Sequence, residues 1–133
     1  MSRVFADTYY FLARLNPADP EHGKVARLTR HLRHHLITTE WVLTEVADAL
    51  SHPRHRDTVS GFYHLIHQNP AVTIVPATHA LFREGMFLFS HRRDKDWPLT
   101  DCISLVVMED EEIREALTGD QHFEQAGFTA LLK

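Results

Sequence analysis

The chain has 133 residues, a single cysteine, 44% apolar and 24% charged residues, and a formal charge of −4 at neutral pH. That length predicts one domain, residues 1–133, with a sizeable core, and the composition is that of an ordinary globular protein without a disordered tail. The lone Cys102 excludes an internal disulfide and no apolar leader is evident, so a cytoplasmic setting away from membranes is expected; the small negative charge neither requires nor forbids a nucleic-acid partner.

Along the chain, strand-like and helix-like apolar patterns alternate. Val4-Phe5-Ala6 is a short continuous apolar run ending at Asp7, the pattern of a strand buried on both faces. Tyr9 to Leu15 predicts a helix stopped by Asn16-Pro17. Asp19-Pro20-Glu21 sets a capping residue before a proline, predicting a second helix that continues through Val25, Leu28 and Leu32. Leu36-Ile37 predicts the second strand. Thr38 or Thr39 then caps a third helix with Val42, Val46, Ala49 and Leu50 as its buried stripe and Glu45 on that stripe's flank.

A fourth helix follows His52-Pro53 and runs to about Gln68, with Phe62, Leu65 and Ile66 apolar, before Asn69-Pro70 breaks it. Val72 to Val75 is rich in β-branched residues and predicts the clearest strand. Thr78 to about Phe89 reads as a helix and Ser90 to Asp96 as a loop. Pro98 to about Asp110 predicts a helix that is apolar on nearly every side, as a central packed helix would be. Ala116-Leu117-Thr118 predicts a strand ending at Gly119-Asp120. His122 to Ala126 predicts a short helix closed by Gly127, and Phe128 to Leu132 the last strand. Such alternation predicts a doubly wound parallel sheet covered by helices.

Asp7, Glu45, Asp101 and Asp120 each sit just beyond an apolar run or at the start of an apolar helical pattern. In a parallel sheet those positions share one edge, where strand ends from distant parts of the chain form a crevice. Two carboxylates about 4 Å apart repel by about 4 kcal/mol at an effective dielectric of about 20, so a cluster of four calls for a cation. A hard divalent ion suits such oxygen donors.

Four stretches carry a family resemblance over essentially the whole chain. They are Val4-Phe5-Ala6-Asp7-Thr8, the segment from Thr38 to Val46 containing Glu45, the segment from Asp94 to Cys102 ending in Leu99-Thr100-Asp101-Cys102, and the segment from Ala116 to Phe123 containing Asp120. Together they resemble the PIN-domain proteins, of the small kind that includes the VapC-type toxins. Pro98 departs from the pattern, since related sequences more often carry serine before Leu-Thr-Asp; proline is tolerated in a first helical turn.

The resemblance implies a three-layer α/β/α fold with a five-stranded parallel sheet and a Mg2+- or Mn2+-dependent ribonuclease, with Asp7, Glu45, Asp101 and Asp120 as the catalytic set. Asp7, Asp101 and Asp120 are the expected metal ligands, Glu45 either binds metal or orients the attacking water, and Asp96 is a fifth acid at the rim or a solvated loop residue. Thr8, Thr100 and Thr118 neighbour three of the acids and either support them or cap helices. Arg92, Arg93 and Lys95 either contact RNA phosphates or form a solvated loop. Trp97 reads first as a packing anchor, and the histidines at 31, 34, 35, 64 and 67 as helix surface, not as zinc ligands. Phe62, Tyr63, Phe82, Phe87 and Phe89 are expected in the core and partly on a homodimer surface. The family also implies RNA as substrate and, for a toxin, a small antitoxin partner.

Two other functions compete. A haloacid-dehalogenase-like phosphatase would use Asp7, Thr38 and Asp120 similarly, but Tyr9 stands where its second aspartate belongs and no suitable lysine is evident. A non-catalytic module that keeps the fold and binds RNA or protein is disfavoured because all four acids are present.

Overall fold

The computed structural model describes residues 2–133. In chain order the elements are β1 (Arg3–Ala6), α1 (Thr8–Leu15), α2 (His22–His31), β2 (His35–Thr39), α3 (Glu40–Ala49), α4 (Pro53–Gln68), β3 (Val72–Val75), α5 (His79–His91), α6 (Leu99–Asp110), β4 (Glu115–Leu117), α7 (Gln121–Gln125) and β5 (Thr129–Ala130). The five strands form one parallel sheet in the order β3-β2-β1-β4-β5. The chain therefore starts in the middle, winds outward through β2 to β3, then crosses to the other side for β4 and β5. Right-handed crossovers place α1 to α4 on one face of the sheet and α5 to α7 on the other.

The reversal of winding direction falls between β1 and β4, where Phe5 lies opposite Ala116 and Ala6 opposite Leu117. Loops leaving adjacent strands part to opposite faces there, which opens a crevice at the strands' carboxyl ends. Central position explains the run Val4-Phe5-Ala6: all three are fully buried, because helices cover both faces of β1. Phe5 meets Phe123 of α7 at 6.4 Å between ring centroids, and Phe11 joins Tyr10 to Phe62 of α4 at 5.3 and 5.1 Å.

Caps set several boundaries. Thr39 accepts from Val42 N at 3.1 Å and Thr78 from Leu81 N at 3.2 Å, opening α3 and α5. Thr38, the alternative cap, is instead buried and donates to the Ala6 carbonyl at 2.9 Å, tying β2 to the end of β1. Asp19 accepts from Glu21 N at 2.9 Å in a local turn, so α2 starts at His22 and Pro20 lies before the helix, not inside its first turn.

Five other expectations are corrected. Ala49 lies outside the buried stripe of α3, which is Val42 and Val46 continued by Leu50. Leu65 points outward, 71% exposed, because α4 buries only the face carrying Phe62 and Ile66. Helix α5 extends to His91, and β5 shrinks to two residues at the sheet's edge. Of the aromatics assigned to the core only Phe62 is inside; Tyr63, Phe82, Phe87 and Phe89 are exposed. No helix among the described residues is long and apolar enough to cross a membrane.

Helix α5 reaches α6 through a glycine. A Cβ on Gly85 would overlap the Ile103 side chain and lie 3.4 Å from Ile103 Cα. The two helices can approach only while that position is bare. Gly85→Val should therefore lower stability by about 1–3 kcal/mol, the range for overpacking, measured as a reduced midpoint in urea; an unchanged midpoint would mean that α5 is not held against α6 here.

Candidate active site

Asp7 follows β1 directly. Its amide donates to the Leu117 carbonyl of β4 at 3.4 Å, and its own carbonyl accepts from Tyr10 N and Phe11 N as α1 begins. Pinned in this way at the switch point, the carboxylate is 4% exposed. One oxygen, Oδ2, accepts from the buried Thr118 hydroxyl at 2.9 Å, whereas Oδ1 is buried without a hydrogen-bond partner among the described residues. A buried carboxylate oxygen left this way is costly unless something cationic completes it.

Thr118 holds two acids at once. While donating to Asp7, its hydroxyl accepts from Asp120 N at 3.0 Å, and Asp120 in turn caps α7 by accepting from His122 N at 2.9 Å. A Cβ on Gly119 between them would lie 2.5 Å from the far end of the Tyr9 ring, which would have to swing aside. On the far side, Thr8 donates to Glu45 Oε1 at 2.6 Å, which fixes a long side chain of α3 to the first residue of α1. Asp101 is buried in the first turn of α6, where the helix dipole favours its anion.

The four acids share one electrostatic environment. Burial first, and then the charge of Asp101 and more weakly Glu45, push the Asp7 carboxyl up to about 7 despite the bonds from Thr118 and the Thr8 backbone. Asp101 rises to about 6, chiefly from burial, with Asp120 and Glu45 adding to the rise and His122 opposing it. His122 Nδ1 lies 2.8 Å from Asp101 Oδ2 and 3.0 Å from Asp120 Oδ1. Burial alone would lower the imidazole's pKa, but the bond to Asp101 and the charges of Asp120, Asp101 and Asp96 outweigh it and raise the value. His122 had no assigned role in the sequence. The signal was its place two residues after Asp120, at the start of a helix that the same aspartate caps.

The remaining candidates separate from this centre. Asp96 is exposed, with Oδ1 at 4.0 Å from His122 Nε2, so it stands behind the histidine. Thr100 is half-buried in the first turn of α6 and makes no side-chain hydrogen bond among the described residues. Arg92 forms a two-pronged pair with Asp94, both contacts 3.0 Å, and stacks over Trp97 at 4.8 Å. Trp97 is buried and donates to Gln125 at 2.9 Å, so it is an anchor for the loop. Arg93 and Lys95 have no ion-pair partner among the described residues.

No family model matches the sequence, and no curated protein matches it. Among solved structures the chain is similar to that of VapC20 from Mycobacterium tuberculosis, a sarcin-ricin loop cleaving toxin. The TM-score is 0.85 at 25% identity, and the match covers 96% of this chain and 98% of that one. The chain has the VapC-type PIN fold.

In this PIN fold the donor set fits a divalent cation. Asp101, Asp120 and His122 each offer a ligand atom within 4.8 Å of the others, the only such group of three among the described residues. The unpartnered Asp7 Oδ1 adds a further oxygen in the same environment.

Without metal, the same arrangement makes the protein sensitive to pH. In the unfolded chain Asp7 titrates near 3.8, in the fold near 7. Between those values the folded state keeps a proton that the unfolded state has lost, so stability falls as pH rises, by up to about 1.4 kcal/mol per pH unit for one fully differing group. Asp101 acts in the same direction between 3.8 and about 6, and His122, raised in the fold, does so from about 6.5 upward. Metal-free protein should therefore melt several degrees lower at pH 8 than at pH 5. Asp7→Asn should flatten that slope, and a parallel slope in the variant would remove Asp7 as its source. Thr118→Val should destabilise the protein by about 1–3 kcal/mol in denaturant titrations, since it removes the hydroxyl that donates to Asp7 and leaves Asp120 N without its acceptor; a loss below about 0.5 kcal/mol would contradict this double role.

Proposed function

We propose that the protein is a Mg2+- or Mn2+-dependent endoribonuclease that acts in the cytoplasm as the toxin of a toxin–antitoxin pair. The observation that carries this reading is the unpartnered buried oxygen of Asp7 beside Asp101, Glu45 and Asp120 at the switch point of the fold it shares with a sarcin-ricin loop cleaving toxin. A divalent cation at these carboxylates would offset the charge that builds on the phosphate in the transition state and make a water easier to deprotonate.

The chain's own residues divide the work. Asp7, Asp101 and Asp120 hold the cation, with Thr118 fixing the first and third. Glu45 is fixed through Oε1 by Thr8, which leaves Oε2 to orient the attacking water and accept its proton. Arg93 and Lys95, both without ion pairs among the described residues, contact the RNA backbone, while Arg92 braces the loop through Asp94 and Trp97. The apolar groove between α3 and α4, lined by Leu43, Leu50, Val59 and Tyr63, suits an antitoxin segment. The exposed Phe82, Phe87 and Phe89 of α5 suit a second copy of the chain.

Mg2+ or Mn2+ should raise the melting temperature of the wild type, and raise it less in Asp7→Asn; equal shifts would mean that Asp7 is not part of a metal site. Incubated with a panel of structured RNAs that includes a sarcin-ricin loop oligonucleotide, the protein should cleave in the presence of metal. EDTA, Asp101→Asn or Asp120→Asn should reduce the rate by about a hundredfold or more. Cleavage that survives these substitutions would overturn the assignment. Mapping the cut ends identifies the RNA.

A further inference from the structure

We infer that His122 is a nitrogen ligand of the cation, so that the centre selects a transition ion such as Mn2+ over Mg2+. The inference rests on the metal-dependent reading above and adds to it a donor atom of a different chemical kind.

The geometry carries it. Nδ1 of His122 stands 2.8 Å from Asp101 Oδ2 and 3.0 Å from Asp120 Oδ1. Donor atoms at adjacent corners of an octahedron with bonds of about 2.1 Å lie about 3 Å apart, so these contacts already have the spacing of neighbouring ligands. The second observation is the Asp7 carboxylate, buried to 4% exposure, whose Oδ1 has no partner and whose strongest charged neighbour is Asp101.

The ring is also held in place. Asp120 accepts the His122 amide, and the next residue, Phe123, is fully buried against Phe5, so the start of α7 cannot swing away from the crevice. The other ring nitrogen points the opposite way, with Nε2 at 4.0 Å from Asp96 Oδ1. Histidines that bind metals usually direct their second N–H toward a carboxylate, which fixes the tautomer and strengthens the donor. Asp96 is a carboxylate on that side of the ring, exposed and beyond direct hydrogen-bond distance.

A simpler role would use the same contacts, with Nδ1–H serving only as a hydrogen-bond donor to Asp101. The two differ chemically. As a ligand, the ring gives its Nδ1 proton to water when the cation enters and binds in the neutral form, keeping its remaining proton on Nε2. Mg2+ prefers oxygen donors throughout, whereas imidazole nitrogen favours transition ions.

Mn2+ added to the metal-free protein allows both to be read without activity. Electron spin-echo envelope modulation of the wild-type Mn2+ complex should show coupling to a directly bound imidazole 14N. In His122→Asn, whose amide keeps a hydrogen-bond donor near Nδ1 but has no ring nitrogen, the coupling should vanish. Calorimetric titration should give Mn2+ binding about tenfold weaker in this variant, with a smaller change for Mg2+. Mn2+ binding by the wild type without 14N coupling overturns the inference and leaves the metal site standing, and this spectrum needs no variant to fold. Equal loss for both ions in His122→Asn likewise reduces His122 to a positioning residue. Failure of the wild type to bind either ion overturns both this inference and the metal-dependent reading.

Discussion

A carboxylate buried at the centre of a hydrophobic sheet is the constraint around which this molecule is arranged. Asp7 cannot retreat to solvent: its amide is bonded to β4, its carbonyl opens α1, and Val4, Phe5 and Ala6 before it are locked in the core. One oxygen has Thr118 and the other has no partner among the described residues, and burial, followed by the charge of Asp101, pushes the pKa up to about 7. Removal of such a group from water costs several kcal/mol unless it is neutralised or paired. The fold carries this cost at the one place where its topology opens a crevice, between β1 and β4.

The neighbouring residues are arranged to keep that place in register more than to relieve it. Thr118 serves Asp7 and Asp120 with one hydroxyl, Thr8 serves Glu45, and Asp120 fixes the turn that presents His122 to Asp101. Three of these links join distant elements, the end of β1 to the end of β4, α1 to α3, and α6 to α7, while the other two are local and shape the turn between β4 and α7. A shift of any one helix would therefore be felt by more than one acid. This coupling is what preorganisation requires, since carboxylates already held in place need not be gathered when a cation arrives.

Much of this was legible in the sequence because burial and topology impose strong patterns. A strand covered on both faces must be apolar throughout, and Val4-Phe5-Ala6 followed abruptly by Asp7 declares both the strand and the buried carboxylate at its end. Strand-to-helix alternation fixed the α/β class, and the parallel sheet of five strands follows it. What escaped depended on contacts between distant segments. Periodicity placed Leu65 with Phe62 and Ile66 on one helix but does not record how much of that helix meets the sheet. The aromatics of α5 look like core until Gly85 is seen to set which face meets α6. His122 belongs to the same class, because its significance lies in Asp101, 21 residues away.

Charge is distributed as unevenly as burial. The four acids account for the whole formal charge of −4, so the rest of the chain is neutral by count. At neutral pH the metal-free cluster carries less than its formal charge, since Asp7 and Asp101 titrate near 7 and 6; the His122 pKa, opposed by burial but pulled up by the bond to Asp101, is raised as well. Repulsion among the acids is thus relieved by protons when no metal is present, and a divalent cation must replace those protons to restore the carboxylates as donors. On the proposed reading this sets an order: the protonated cluster has little to offer a phosphate, and the filled one presents a positive ion to it. Attraction for RNA then depends on metal occupancy more than on the protein's net charge, which is why an acidic chain can hold a polyanion.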